Sequence, residues 1–136
     1  GCKNTAVTVD GVLCSHEHFD HCYCGELTLR QGGENPFTVT AVDTFHDEQQ
    51  GSLRGTNKIH QLAAEGMRVV HLGDLGHPLS EAQAEKLRPC DVLMIPVGGI
   101  TRCVGDAVCL AAMLIACAGK AHNKVGGDIF LGIARF

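Results

Sequence analysis

The chain has 136 residues, 45% of them hydrophobic, and a formal net charge of −4. That length fits one domain with a sizeable core, and the absence of any basic run leaves no electrostatic footprint for nucleic acid. The most apolar stretch, Ala107 to Gly119, is too short to span a bilayer and fits a buried helix.

Taken in order, residues 6–14 alternate and are rich in β-branched side chains, which predicts a buried strand closed by Ser15. A polar loop follows, and Phe19 to Cys24 is expected to begin a short helix. Gly32-Gly33-Glu34-Asn35-Pro36 is a turn. Residues 37–45 alternate with period two and predict a second strand, running into His46-Asp47. Residues 47–56 are polar and read as a loop. Lys58 to Ala64 fits a strand or a helix by itself, but Gly66 followed by residues 67–72 suggests a hairpin, which favours strand for both. Ser80 is a helix N-cap with Glu81 in the first turn, and that helix runs to about Leu87 before Pro89. Residues 91–96 form a short buried strand, followed by a turn at Val97-Gly98-Gly99. Asp106 caps a helix reaching Ala118, with Gly119 beyond it, and residues 129–134 supply a last strand.

The eight cysteines are not spaced as a disulfide framework. Cys14, Cys90, Cys109 and Cys117 lie in apolar runs and read as small core residues. Cys22 and Cys24 are the one close pair, and C-x-C suits a disulfide poorly. The expectation is a reduced, cytoplasmic chain. No signal peptide opens the sequence. Cys22 and Cys24 read as small hydrophobic residues or as thiolate ligands for zinc.

Candidate chemistry collects at strand ends. The stretch His16-Glu17-His18-Phe19-Asp20-His21 packs four potential metal ligands after the first strand. His46 follows the second, and Asp74 follows the strand over 67–72. A strand ending in a loop of imidazole and carboxylate supplies a rigid base for a metal centre, and ligands distant in sequence can meet at one sheet edge.

These residues carry a resemblance. His16-Glu17-His18-Phe19-Asp20-His21, then Thr44-Phe45-His46-Asp47, then His71-Leu72-Gly73-Asp74-Leu75-Gly76-His77, in that order, resemble the zinc-dependent hydrolases of the metallo-β-lactamase superfamily, in its lactonase-like branch. Ile95-Pro96-Val97-Gly98-Gly99 adds to the likeness, which is strongest over residues 6–100. It implies an α/β fold, the αβ/βα sandwich of that superfamily, as a single domain over residues 1–136, incomplete at the N-terminal end. It also implies that His16, His18 and His46 hold a first Zn²⁺, that Asp20 and His21 hold a second, and that Asp74 bridges them. Neutral imidazoles leave the metal a strong Lewis acid, whose bound water, with a pKa near about 7, becomes the nucleophile. The resemblance implies Asp20 and Asp74 as the catalytic carboxylates. One or two ions are expected, and the same ligands accept Mn²⁺ or Fe.

Two departures stand out. The family has a further histidine after a strand near the C-terminal end, whereas the late histidine here, His122, precedes the last expected strand and reads as a surface residue or a substitute ligand. The family also has a strand-rich segment before the His16 loop. The chain therefore resembles a partial or diverged copy, and an apolar sheet face left open would favour self-association.

Several residues keep two readings. His77 contacts substrate or a metal ligand, or sits in a surface turn. Asp47 accepts from a ligating imidazole, or shapes its own loop. His71 is a core histidine or a neighbour of the ligands, and His60 an ordinary strand residue. Gly98-Gly99 offers backbone N–H groups to an anion or makes a plain tight turn. The expected function is a metal-dependent hydrolase using a zinc-bound hydroxide on an ester, lactone or phosphorylated small molecule. The alternatives are a non-catalytic metal-binding fragment and, last, a metal-dependent nuclease. Neither nucleic acid nor membrane is an expected partner.

Overall fold

A computed structural model describes residues 6–19, 21–22, 24–32, 35–96 and 131–134. Its centre is a five-stranded sheet in the order β3 (Thr38–Phe45), β4 (Thr56–Ala64), β5 (Met67–His71), β6 (Val92–Pro96) and β7 (Leu131–Ala134). β1 (Val7–Val9) and β2 (Leu27–Leu29) form a separate parallel pair.

The sheet's directions position the site. β3 and β5 each pair antiparallel with β4, so they run the same way and finish at one end of the sheet. Phe45 opposite Thr56, and His71 opposite His60, mark that end. The loops after β3 and β5, and the start of β4, meet there. The β4–β5 hairpin closes through Glu65 and Gly66, at φ 52° and 78°. Positive φ at both central residues is the two-residue turn whose twist suits paired strands.

β6 and β7 extend the sheet in parallel, and α1 (Glu81–Lys86) precedes β6. Ser80 caps α1 as expected. Its hydroxyl accepts from the Gln83 N–H, and the Gln83 side chain accepts from the Ser80 N–H at 3.0 Å, a reciprocal box that satisfies two otherwise unpaired donors. Ala84 and Leu87 pack with Val42, Ile59, Val70, Leu72, Leu75, Leu79 and Leu93 in one core. The Gln61 side-chain amide ties the sheet to the helix end, donating to the Leu87 carbonyl at 2.7 Å.

Three sequence expectations change. The strand expected over 6–14 shrinks to Val7–Val9 and is largely exposed. It has a three-residue partner on one side, and Val12 and Leu13 beyond it line a cleft of about 500 Å³ with Phe37, Val39 and Leu62. The expected helix from Phe19 is a single turn, in which the His18 carbonyl accepts from the N–H groups of His21 (3.0 Å) and Cys22 (2.9 Å). That turn brings the Cα of Cys22 to 5.3 Å from that of Cys14, and the two form a disulfide, a separation that such a bond accommodates. Cys14 is therefore not a free core thiol and the chain is not fully reduced, while Cys24 and Cys90 are free. The expected turn at residues 97–99, the helix from Asp106 and His122 lie outside the described residues. Among the described residues no helix is long and apolar enough to cross a membrane.

Candidate metal centre

Five candidate donors converge at the shared sheet end. The loop after β1 brings His16, His18 and His21. β3 runs into His46, and the turn after β5 presents Asp74. The His16 ring centroid lies 4.6 Å from that of His18, 4.4 Å from His21 and 5.0 Å from His46. One carboxylate oxygen of Asp74 stands 3.1 Å from His46 Nε2 and 3.8 Å from Nε2 of both His16 and His21. Two donor groups result, His16/His18/His46 and His16/His21/Asp74, each with its ligand atoms within 4.8 Å of one another. Asp20 lies outside the described residues.

His16 is the buried member, 6% exposed. Its Nδ1 is 2.9 Å from the Ser15 hydroxyl, while its Nε2 is buried without a hydrogen-bond partner. Burial pushes its pKa down to about 4; Asp74 opposes this, and the imidazoles of His21, His46 and His18 add to it. At neutral pH, then, the His16 ring that faces Asp74 is neutral. A buried ring nitrogen with no partner requires an explanation, and imidazoles around one carboxylate are the donors zinc takes. The set fits a metal ion.

The supports are local and specific. The Lys58 N–H donates to the Ser15 carbonyl at 2.6 Å, tethering the histidine loop to β4. Asn57 is buried at the start of β4. Its amide donates to Thr44 Oγ1 (2.9 Å) and to the Leu72 carbonyl (3.0 Å), and its oxygen accepts the Asp74 N–H at 2.9 Å. Gly73 is at φ 59°, and a Cβ there would overlap the Asn57 side chain. A Cβ on Gly76 would overlap the main chain of His46. Two glycines thus let the turn carrying Asp74 press against both neighbouring segments.

His77 and Asp47 have definite partners. The His77 Nε2 accepts the Phe45 N–H at 3.1 Å, and its Nδ1 is 2.8 Å from the Pro78 carbonyl. A carbonyl only accepts and an N–H only donates, so the proton is on Nδ1. Nε2 thus holds the residue before His46, and Nδ1 is engaged with the neighbouring Pro78 carbonyl. Asp47 likewise spends both oxygens on its own loop, not on an imidazole. It accepts from the N–H groups of Gln49 (2.8 Å), Gly51 (3.0 Å), Leu53 (3.1 Å) and Arg54 (2.8 Å). That loop returns to the site where the His46 N–H donates to the Gly55 carbonyl at 3.0 Å.

His60 and His71 face each other across β4 and β5. Burial lowers both pKa values; His71 also accepts the Gly73 N–H on Nδ1 at 3.0 Å. Asn57, Ser15 and the Cys14–Cys22 bond are supports that sequence reasoning missed. Only the position of Asn57, a lone amide between a polar loop and a strand, offered any signal.

A family model described as "Beta-lactamase superfamily domain" matches residues 1–117. A crystal structure from Thermotoga maritima at 2.00 Å, described as a Zn-dependent hydrolase of the metallo-β-lactamase superfamily, shares 32% sequence identity with a TM-score of 0.57. The likeness covers 82% of this chain and 56% of that one. No curated protein matches. The chain belongs to the metallo-β-lactamase superfamily. Its mixed sheet, short helix and strand-end donors are a mixed α/β fold of that type, spanning 56% of the length of the solved relative.

Proposed function

We propose that the chain is a metal-dependent hydrolase whose first ion is zinc, held by His16, His18 and His46 beside Asp74. The observation that carries this reading is His16 Nε2, buried without a partner and ringed by further donors. When bound, zinc supplies Lewis acidity and activates water near neutral pH. The chain's own residues prepare for it. The Ser15 hydroxyl, 2.9 Å from His16 Nδ1, can accept a proton from that nitrogen, and in that tautomer the lone pair is on Nε2. Asp74 sits within reach of three imidazoles and is assigned to hold the ion and bridge toward a second one bound by His21 and Asp20. Asp20 is assigned to orient the attacking water. We assign the substrate to esters, lactones or phosphorylated small molecules; the Thermotoga maritima protein's description as a Zn-dependent hydrolase supports the reaction class.

One observation favours a second reading, a single-ion domain without turnover. Both donor groups use His16, and one ring nitrogen binds one ion. The described donors therefore complete one site and leave only His21 and Asp74 toward another. Metal analysis of the purified chain, with hydrolysis assays on a lactone and a generic phosphodiester, separates the readings. Two equivalents of zinc with turnover support the hydrolase, and one equivalent without turnover supports the second reading. Replacing His16 and His18 together by Ala abolishes binding by the oxidised chain in both cases; an oxidised chain that binds neither zinc, manganese nor iron overturns both.

A further inference from the structure

We propose a second, sulfur-only metal site formed by Cys14, Cys22 and Cys24, open to a zinc-class cation only when the Cys14–Cys22 disulfide is reduced. The three sulfur atoms lie within 4.8 Å of one another. Three sulfurs bound to one zinc ion at about 2.3 Å lie roughly 3.8 Å apart, so breaking one bond and a small adjustment of each side chain complete the triangle. Cys24 is a free, exposed thiol beside a disulfide. The backbone holds it there: the Leu27 N–H donates to the Cys24 carbonyl at 3.1 Å where β2 begins. Cys22 is fixed by its N–H bond to the His18 carbonyl.

The site differs from the histidine centre in chemistry, although it shares its loop. Thiolates select soft cations, and the imidazole–carboxylate set accepts harder ones. The disulfide and the metal compete for the same two sulfurs. A dithiol reductant delivers two electrons and two protons. The Cys14–Cys22 bond breaks, two thiols form, and the reductant closes to its own disulfide. The cation then displaces three thiol protons and gains three metal–sulfur bonds, with water in the fourth position. The loop carrying His16, His18 and His21 is thus closed in one of two ways, by a covalent bond or by an ion.

The test uses the full chain and cadmium alone as the probe. After reduction and removal of the reductant, cadmium titration is followed by sulfur-to-cadmium charge-transfer absorption, which histidine ligands do not give. The expected result is a thiolate band that saturates at one equivalent, is missing from the oxidised chain, and accompanies protection of Cys14, Cys22 and Cys24 from alkylation mapped by mass spectrometry. Because Cys24 is exposed, Cys24→Ser leaves the fold in place and weakens cadmium binding at the band by at least about tenfold, the least that loss of a ligand costs where loss of an outer partner costs as much. Cadmium also slows re-formation of the Cys14–Cys22 bond by oxidised glutathione. No thiolate band, protection of other cysteines instead, or equal affinity in Cys24→Ser overturns the proposal. The thiolate band and the pattern of cysteine protection report sulfur ligation alone and do not depend on turnover at the histidine centre; with His16 and His18 both replaced by Ala the band still saturates at one equivalent.

Discussion

The side-chain oxygen of Asn57 accepts the main-chain N–H of Asp74 at 2.9 Å, joining the start of β4 to the residue whose carboxylate stands at the centre of the site. The same carboxamide holds Thr44 from β3 and the Leu72 carbonyl after β5. One buried side chain therefore sets the spacing of three segments. Replacing it with Ala takes these partners from the part-buried Asp74 N–H and the buried Leu72 carbonyl. We predict that Asn57→Ala lowers unfolding stability by about 2–4 kcal/mol, read from urea midpoints, and weakens metal binding. A variant with the parent's midpoint sinks this assignment.

His77 holds Phe45, and Phe45 leads directly into His46. His77→Ala is expected to cost about 1–2 kcal/mol for the unpaired N–H and to weaken zinc binding by about 10–100-fold through a displaced His46. If His77 were itself a ligand, the loss would follow ligand removal instead, and adding free imidazole would restore binding. Calorimetric titration with and without imidazole tells the two apart.

The disulfide closes a short loop, with a sequence separation of 8. Chain-entropy reasoning assigns it about 2–3 kcal/mol. Urea unfolding of the metal-free chain, oxidised against reduced, measures this directly, and Cys14→Ser should match the reduced parent. Coincident oxidised and reduced curves would show that the bond adds no constraint.

Burial lowers the pKa values of His60 and His71 below 6.5, so the unfolded chain takes up protons before the folded one does. Stability is full above pH 6.5 and declines as pH falls toward the folded values. His60→Gln should flatten part of that slope in the metal-free chain. An unchanged slope would assign the effect to other groups.

Asp47 titrates with the same sign at lower pH. Burial raises its pKa, but the four main-chain N–H groups together bring it below 3.8. Its contribution is present above pH 3.8 and is lost as pH falls through the folded value. Asp47→Asn should unfold earlier than the parent at neutral pH, and the gap should close in strong acid. A gap independent of pH would refute the charge-based account.

The convergence of His16, His18, His21, His46 and Asp74 was legible in the sequence because each stands where a predicted strand ends, and such ends can meet at one edge of a sheet. The β4–β5 hairpin and the α1 cap were legible because turn and cap residues act on their immediate neighbours. The disulfide was not, since it depends on one turn around the His18 carbonyl and not on a spacing signature. The partners of Asn57, His77 and Asp47 were hidden for a related reason. Each is a polar side chain whose acceptors and donors are main-chain groups, and main-chain groups leave no mark in composition. The strand over 6–14 was overextended because alternation also suits a segment lining a cleft.

The Asp74 amide lies outside every strand and helix, yet its hydrogen is held by a buried acceptor. Exchange with solvent deuterium at that position therefore waits for the hydrogen bond to Asn57, a residue of β4, to open. The turn bearing the carboxylate, irregular in backbone, keeps time with the sheet and not with the surface loops.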